Sequence, residues 1–279
     1  MPSVTNSQFS WHHLNQWQVA LFPTALMVIA GLAYLLAVRR APTWPRSRTL
    51  LFVAGLVVTF LGTQSVIGVY DHAYFSIHMV EHLLLIMVAA PLFAAGRPLE
   101  LARLTGGAAL RRLLDSRFAR LLLHPLVGFG LYFVFIPFTH LTGFFNLMMA
   151  HEWLHHVEEI GFLVVGYLFF RPVLDTEDGA GIHPGLRLVY VMAAVPVDTF
   201  TGLALAMSSH NPFPAYNTDS PAGSTPTSIL DNVHLGGAIM WIGGDALMLL
   251  ICIPIAIAWV RFETRRTREL DRELDARGL

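Results

Sequence analysis

Phe75-Ser-Ile-His78-Met-Val-Glu81-His82-Leu-Leu-Leu-Ile-Met-Val-Ala-Ala-Pro91-Leu-Phe-Ala-Ala-Gly96 decides the fold class. Beyond His82 this stretch carries no ionisable side chain. A bilayer core about 30 Å thick takes about 20 apolar residues of helix, so the segment is long enough to cross one. In hydrocarbon every backbone polar group must be paired inside the segment, which selects a helix. The strict apolar/polar alternation of a transmembrane barrel strand is missing. The surrounding chain agrees: it is 54% hydrophobic and 13% charged, about half the charge of a soluble domain.

Working outward, comparable runs place spans at roughly 17–38, 50–70, 75–96, 121–140, 152–171, 186–207 and 232–260. Arginine orients them. All 18 basic residues are arginines, and they fall between the first and second spans, between the third and fourth, beside the fifth-to-sixth connection, and in the C-terminal tail. The positive-inside rule makes that side cytoplasmic. The expectation is therefore an all-α, polytopic membrane helix bundle of seven transmembrane helices, with the N-terminus outside and the C-terminus cytoplasmic. An outer segment 1–16 precedes the bundle 17–260, and a cytoplasmic tail 261–279 follows it. The first 17 residues have no basic start and do not read as a cleaved signal peptide.

Residues 97–120 read as a basic amphipathic surface helix lying on anionic lipid. The acids and arginines of the tail, at helical spacing, read as the solvated end of the last helix. The outer loop 208–230, rich in Pro, Ser and Thr, is expected either to fold over the outer mouth or to be merely flexible. The partner read from composition is the lipid bilayer, with no nucleic acid. The single cysteine, Cys252, excludes an internal disulfide and any paired-cysteine metal clamp.

Most of the 13 histidines gather at the ends opposite the arginines, with His124 and His183 on the arginine side. His78 and His82 stand at i, i+4, with Glu81 on the same helical face. The fifth span opens His151-Glu-Trp-Leu-His155-His156-Val-Glu158-Glu159. There His151 and His155 share a face that Glu158 and Glu159 continue. A lone histidine at headgroup depth is an ordinary hydrogen-bonding residue. Two such pairs at one depth, with acids beside them, are the geometry by which helices hold a first-row metal. His12, His13, His72, His140 and His210 lie on the same side in loops, as candidates for capture or for supporting roles. His124 and His183 are expected to be structural.

The seventh span opens Asp231-Asn-Val-His234-Leu-Gly236-Gly237. Asp231 is either a neighbour of His234 in a site or a helix N-cap. Gly236 and Gly243, like Gly237 and Gly244, are expected to let helix backbones approach closely. Asp198 and Asp245 fall near mid-membrane, where a charge costs about 3 kcal/mol or more on insertion scales. They are expected to be paired, protonated or functional, in metal coordination or on a proton path. Pro196 frees a carbonyl that could accept a proton from Asp198. Imidazole suits Zn, Cu, Fe and Ni. Met79, Met148, Met149, Met207 and Met240 bias toward the same end, which adds weakly to copper, since methionine is also ordinary core filler.

The segments His78-Met-Val-Glu-His82-Leu-Leu-Leu-Ile-Met-Val-Ala-Ala-Pro91, His151-Glu-Trp-Leu-His155-His156-Val-Glu-Glu and Asp231-Asn-Val-His234-Leu-Gly-Gly-Ala-Ile-Met-Trp241 resemble the CtaG-like cytochrome c oxidase assembly factors. The likeness runs from about the second span to the seventh. The resemblance implies a bacterial cytoplasmic (inner) membrane protein, and the arginines on the opposite side put the metal site toward the periplasmic or extracellular face. It also implies a non-enzymatic role in maturing haem-copper oxidases by supplying copper. The partner would be an oxidase subunit or another copper-carrying protein. Carried over residue by residue, the ligand candidates are His78, His82, His151, His155 and His234. Glu81, His156, Glu158, Glu159, Asp198, Asp231 and Asp245 take supporting or proton-path roles. Two alternatives stay open, and with them zinc, iron and haem. The histidine boxes and Glu152-x-x-His155 resemble a di-metal membrane oxygenase or desaturase. Histidines on facing helices would also serve a bis-histidine haem b electron carrier.

Overall fold

The computed structural model describes residues 15–174 and 182–277, and every regular element among them is helical. In chain order these are α1 (Leu21–Arg39), α2 (Arg46–Gln64), α3 (Val66–Tyr70), α4 (Phe75–Leu83), a π-helical turn (Leu84–Ala89), α5 (Ala90–Gly96), α6 (Pro98–Thr105), α7 (Ala108–Leu114), α8 (Arg117–Leu122), α9 (Pro125–Leu141), α10 (Phe144–Met149), α11 (Glu152–Leu174), α12 (Pro184–Ala206), α13 (Tyr216–Asp219), α14 (Pro226–Ala238), a second π-helical turn (Ile239–Gly243) and α15 (Gly244–Arg277).

Among the described residues, five helical stretches are long and apolar enough to cross a membrane: Leu21–Arg39, Arg46–Tyr70, Phe75–Thr105, Pro184–Ala206 and Pro226–Ala276. Of the other expected spans, α9 is apolar but only 17 residues long. Helix α11 has 23 residues and includes Glu158 and Glu159, both buried inside the bundle.

Helix α12 packs on α9, α14 and α15, while α11 packs on α5, α9 and the first π turn. The aromatic core comprises Tyr132, Phe145, Phe162, Phe169, Phe170 and Phe213, each at most 1% exposed. Helix α1 packs at the edge against α2 and α6 and buries only Pro23 and Tyr34. Its Ile29, Leu32 and Leu36 face outward, as a helix bathed in lipid requires.

Glycines set the closest approaches. A Cβ on Gly202 would lie 2.6 Å from the Gly237 carbonyl oxygen, and one on Gly237 would lie 2.5 Å from the Ala206 nitrogen. Gly236 faces Phe75 and Met79, and Gly243 faces Leu83. One glycine stripe thus turns to the third span, and the stripe of Gly237 and Gly244 turns to α12.

Local chemistry interrupts the long helices. Ser65 is extended and separates α2 from α3, and its hydroxyl accepts from the Ile67 N–H to cap the new helix. The first π turn ends just before Pro91, which lacks an N–H and whose ring crowds the carbonyl four residues back.

The structure corrects two expectations here. Residues 97–120 form the three short helices α6, α7 and α8 rather than one, because Gly106-Gly107 and Asp115-Ser116 break the run. Asp231 is not an N-cap: α14 starts five residues earlier, where Thr225 and Ser228 form a reciprocal capping box. Within loop 208–230, Phe213 and Tyr216 are buried, and the Tyr216 hydroxyl donates to the Asp71 carbonyl at 3.0 Å. The loop therefore folds over the end of the bundle where the histidines lie. The tail continues α15 as a helix to Arg277.

Candidate metal centre

Helices α4 and α11 both begin at the end of the bundle where α3 and α9 finish. On α4 the i, i+4 spacing turns His78 and His82 to one side, and on α11 it turns His155, Glu158 and Glu159 inward. His78 Nε2 lies 3.8 Å and His82 Nε2 3.7 Å from Glu158 Oε2. In return His155 Nε2 lies 3.8 Å from Glu81 Oε2. The two helices thus exchange one carboxylate each for the other's imidazoles.

The break at Ser65 adds a residue from outside these helices. It redirects α3 so that Asp71 enters the same space, with Oδ2 3.5 Å from His155 Nε2. Its other oxygen accepts the His72 backbone N–H at 2.6 Å. Burial pushes the Asp71 carboxyl up to about 6.

Three ligand-capable groups result: Asp71, His78, Glu81 and His155; His78, His82 and Glu158; and His155, His156 and Glu159. Within each group the potential donor atoms lie within 4.8 Å of one another. The separations of 3.5–3.8 Å are too long for hydrogen bonds. Two ligands held about 2.1 Å from one tetrahedral ion stand roughly 3.4 Å apart, which is close to what is found.

Hydrogen-bond accounting leads to the same place. His78 Nδ1 and Nε2, both Glu81 oxygens, His82 Nε2, His155 Nε2 and both Glu158 oxygens are buried without a hydrogen-bond partner. Buried polar atoms are ordinarily paired, because each orphan costs about 1–3 kcal/mol. Here eight orphans share one small volume. Asp71, Glu81 and Glu159 also act on one another as like charges. A cation among them would satisfy the lone pairs and offset that repulsion together.

The surroundings orient the ligands. His140, at the end of α9, lies with Nδ1 2.9 Å from the Ile136 carbonyl and Nε2 3.4 Å from His82 Nδ1. A carbonyl only accepts, so His140 carries its proton on Nδ1. Its Nε2 then accepts from His82 Nδ1–H, which leaves the His82 Nε2 lone pair facing Glu158. Phe162 stacks on the His82 ring at 3.8 Å.

The structure brings His78, His82, His155, Glu81 and Glu158 together, with His156 and Glu159 beside them. It leaves His151 and His234 outside. His151 sits in the kink between α10 and α11, exposed, with Nδ1 3.0 Å from the Leu147 carbonyl. His234 Nε2 lies 2.9 Å from the Ser208 carbonyl, and Asp231 is exposed. Met79 packs on Gly236 and Met207 is exposed. His12 and His13 lie outside the described residues.

Asp198 and Asp245 belong to a different place. The Tyr132 hydroxyl donates to Asp198 Oδ2 at 2.5 Å, and the Thr199 hydroxyl donates to Asp245 at 2.9 Å. The partner of Asp198 is thus a tyrosine of α9 rather than the carbonyl freed by Pro196.

Sequence reasoning missed Asp71 and left His140 in a loop. The only local signal for Asp71 was its place beside His72.

The comparisons with known proteins give the family. The profile of the cytochrome c oxidase caa3 assembly factor family (Caa3_CtaG) matches residues 32–262. The chain belongs to this family. Its matched region covers α2 to α14 and so contains every residue of the centre. Among curated relatives, "Uncharacterized protein ML1998" of Mycobacterium leprae (strain TN) is 29% identical across 93% of this chain and 42% of its own length. "Uncharacterized protein Mb0105" of Mycobacterium bovis (strain ATCC BAA-935 / AF2122/97) is 31% identical across 85% of this chain and 38% of its own. The chain therefore spans about two-fifths of the length of these relatives. No solved structure matches.

Proposed function

We propose that this oxidase assembly factor holds copper at the centre formed by His78, His82 and His155 with Asp71, Glu81 and Glu158. It then passes the ion to an oxidase subunit or to another copper-carrying protein, without catalysing a reaction itself. The supporting observation is the convergence of eight orphaned, buried donor atoms from α4 and α11. Imidazole and carboxylate supply the donors, and with such ligands the affinity for divalent first-row metals peaks at copper. The membrane arrangement that goes with this reading is seven spans in a bacterial inner membrane. Helices α9 and α11 complete the five long apolar stretches, the N-terminus is outside, and the centre lies toward the outer face, opposite the arginines.

One observation supports a second reading. Two of the ligand groups share His78, and a carboxylate-rich pair of adjacent positions is also what a di-metal oxygenase would use. Against a haem b carrier stand Glu81 and Glu158. Each carboxylate faces the imidazole nitrogens that would have to bind iron across a flat porphyrin.

Metal analysis and an absorption spectrum of the detergent-purified protein test these readings together. Stoichiometric copper, lost in a His78→Ala/His82→Ala variant, is the expected result. Stoichiometric iron without haem would transfer the support to the oxygenase, and a Soret band would transfer it to haem. In cells, a His155→Ala strain is expected to lose oxidase activity that excess copper partly restores.

A further inference from the structure

We propose that the centre is the inner end of a one-mouthed ligand path whose entry station is the group of His155, His156 and Glu159, which alone includes a partly exposed side chain. This inference rests on the copper reading above and deepens it.

The three ligand groups overlap in series. His155 belongs to the first and the second, and His78 to the second and the third. The first group is the least buried. The His156 side chain is 18% exposed, that of Glu159 7% and that of His155 5%, while His78 and Glu158 are at 0%. An ion moving inward keeps one imidazole at every step, first His155 and then His78, so it is never stripped of all its ligands at once. No oxidation or reduction is involved. Neutral imidazoles and carboxylates replace water on the ion, and any proton they carry leaves to solvent.

The outer station opens into a cavity of about 370 Å³, whose walls include Asp71, His72, Glu152, His155, His156 and Glu159. His156 Nδ1 lies 2.9 Å from Glu159 Oε2. That contact places the proton on Nδ1 and leaves Nε2 with the lone pair that a metal needs. The unpartnered His155 Nε2, nine-tenths buried, marks the step from the cavity to the inner group.

At the far end the path stops. The His82 ring, 4% exposed, is covered by Phe162 and by His140, and His140 is itself committed to the Ile136 carbonyl. Entry and exit then use the same mouth, on the side where the ion arrived.

Rates separate a path residue from a resting ligand. Removing a step on a path slows loading and unloading alike, whereas removing a resting ligand speeds unloading. The experiment uses the full chain in detergent, aqueous Cu(II) as the probe and EDTA as the extractant, with wild type beside His156→Gln and Glu159→Gln. Both rates are expected to fall, by roughly tenfold or more for groups that support a metal, while affinity changes less than either rate. Faster extraction, or unchanged loading, would overturn the path and leave the copper reading intact. Wild type that takes up no copper would overturn both. His156 is only partly buried, so its glutamine variant keeps the test available if Glu159→Gln does not fold.

Discussion

His82 Nδ1 lies 3.4 Å from His140 Nε2, and this contact across α4 and α9 determines which nitrogen His82 turns to the centre. His140 touches no potential ion position itself. Its proton sits on the nitrogen facing the Ile136 carbonyl, so His82 must donate through Nδ1 and keep Nε2 free. Removing that partner lets His82 take the other tautomer. His140→Ala is expected to weaken copper binding about 10- to 100-fold, the usual effect of losing the group behind a ligating histidine. Competition titration against a chelator of known affinity measures it, and an unchanged affinity would sever His140 from the centre.

Glu158 faces both imidazoles of α4 and has no hydrogen-bond donor. An amide in its place can donate to those nitrogens. Glu158→Gln should stabilise the metal-free protein by about 1–3 kcal/mol, the cost of an orphaned buried polar group, while reducing copper uptake. Thermal unfolding in detergent with and without copper reads both signs. A variant that destabilises the metal-free protein would mean that the carboxylate is satisfied without an ion.

Protons compete with copper for the same lone pairs. Coordination through Asp71 requires its carboxylate ionised, and burial pushes that carboxyl up to about 6, so copper affinity should fall as the pH drops through about 6 and level off above it. Equilibrium binding at stepped pH measures this. A profile that stays flat from neutral pH down to about pH 5 would argue against Asp71 as a ligand.

The mid-bundle pair of Tyr132 and Asp198 is expected to be structural. Tyr132→Phe removes the donor from a carboxyl that is 2% exposed, and should cost about 1–2 kcal/mol. Combined with Asp198→Asn, the losses should be less than additive, because both remove one contact. Copper binding should be untouched by Tyr132→Phe, and a lost copper site would tie the pair to the centre after all.

The approach of α12 to α14 leaves no room at Gly202, where a Cβ would lie 2.7 Å from the Trp241 nitrogen as well as 2.6 Å from the Gly237 oxygen. Gly202→Val should destabilise by about 3 kcal/mol or more through forced separation of the helices. Gly130 in α9 has open space around its Cβ position, so Gly130→Ala should instead stabilise by about 0.5–1 kcal/mol. Folded yield and thermal midpoints of the two variants test the contrast.

Hydropathy and helical periodicity are local properties, and they carried far. The apolar run after His82, the i, i+4 pair of His78 and His82, the inward face of His155 and Glu158, and the close-packing glycines were all legible from spacing alone. Spacing could not show where α11 starts. By count His151 shares a face with His155, yet it precedes the first turn and is exposed. Asp231 failed as an N-cap for the same kind of reason, since the capping box at Thr225 starts α14 earlier.

By itself the sequence determined a membrane helix bundle with its imidazoles gathered at one end, because transfer energies and a 3.6-residue period act within single segments. Only the tertiary structure decided which imidazoles meet. It left His151 and His234 aside and recruited Asp71 and His140. Convergence depends on the rotation of α4 against α11, on the break at Ser65 and on the packing of α9. None of these is encoded by the spacing of residues within one helix.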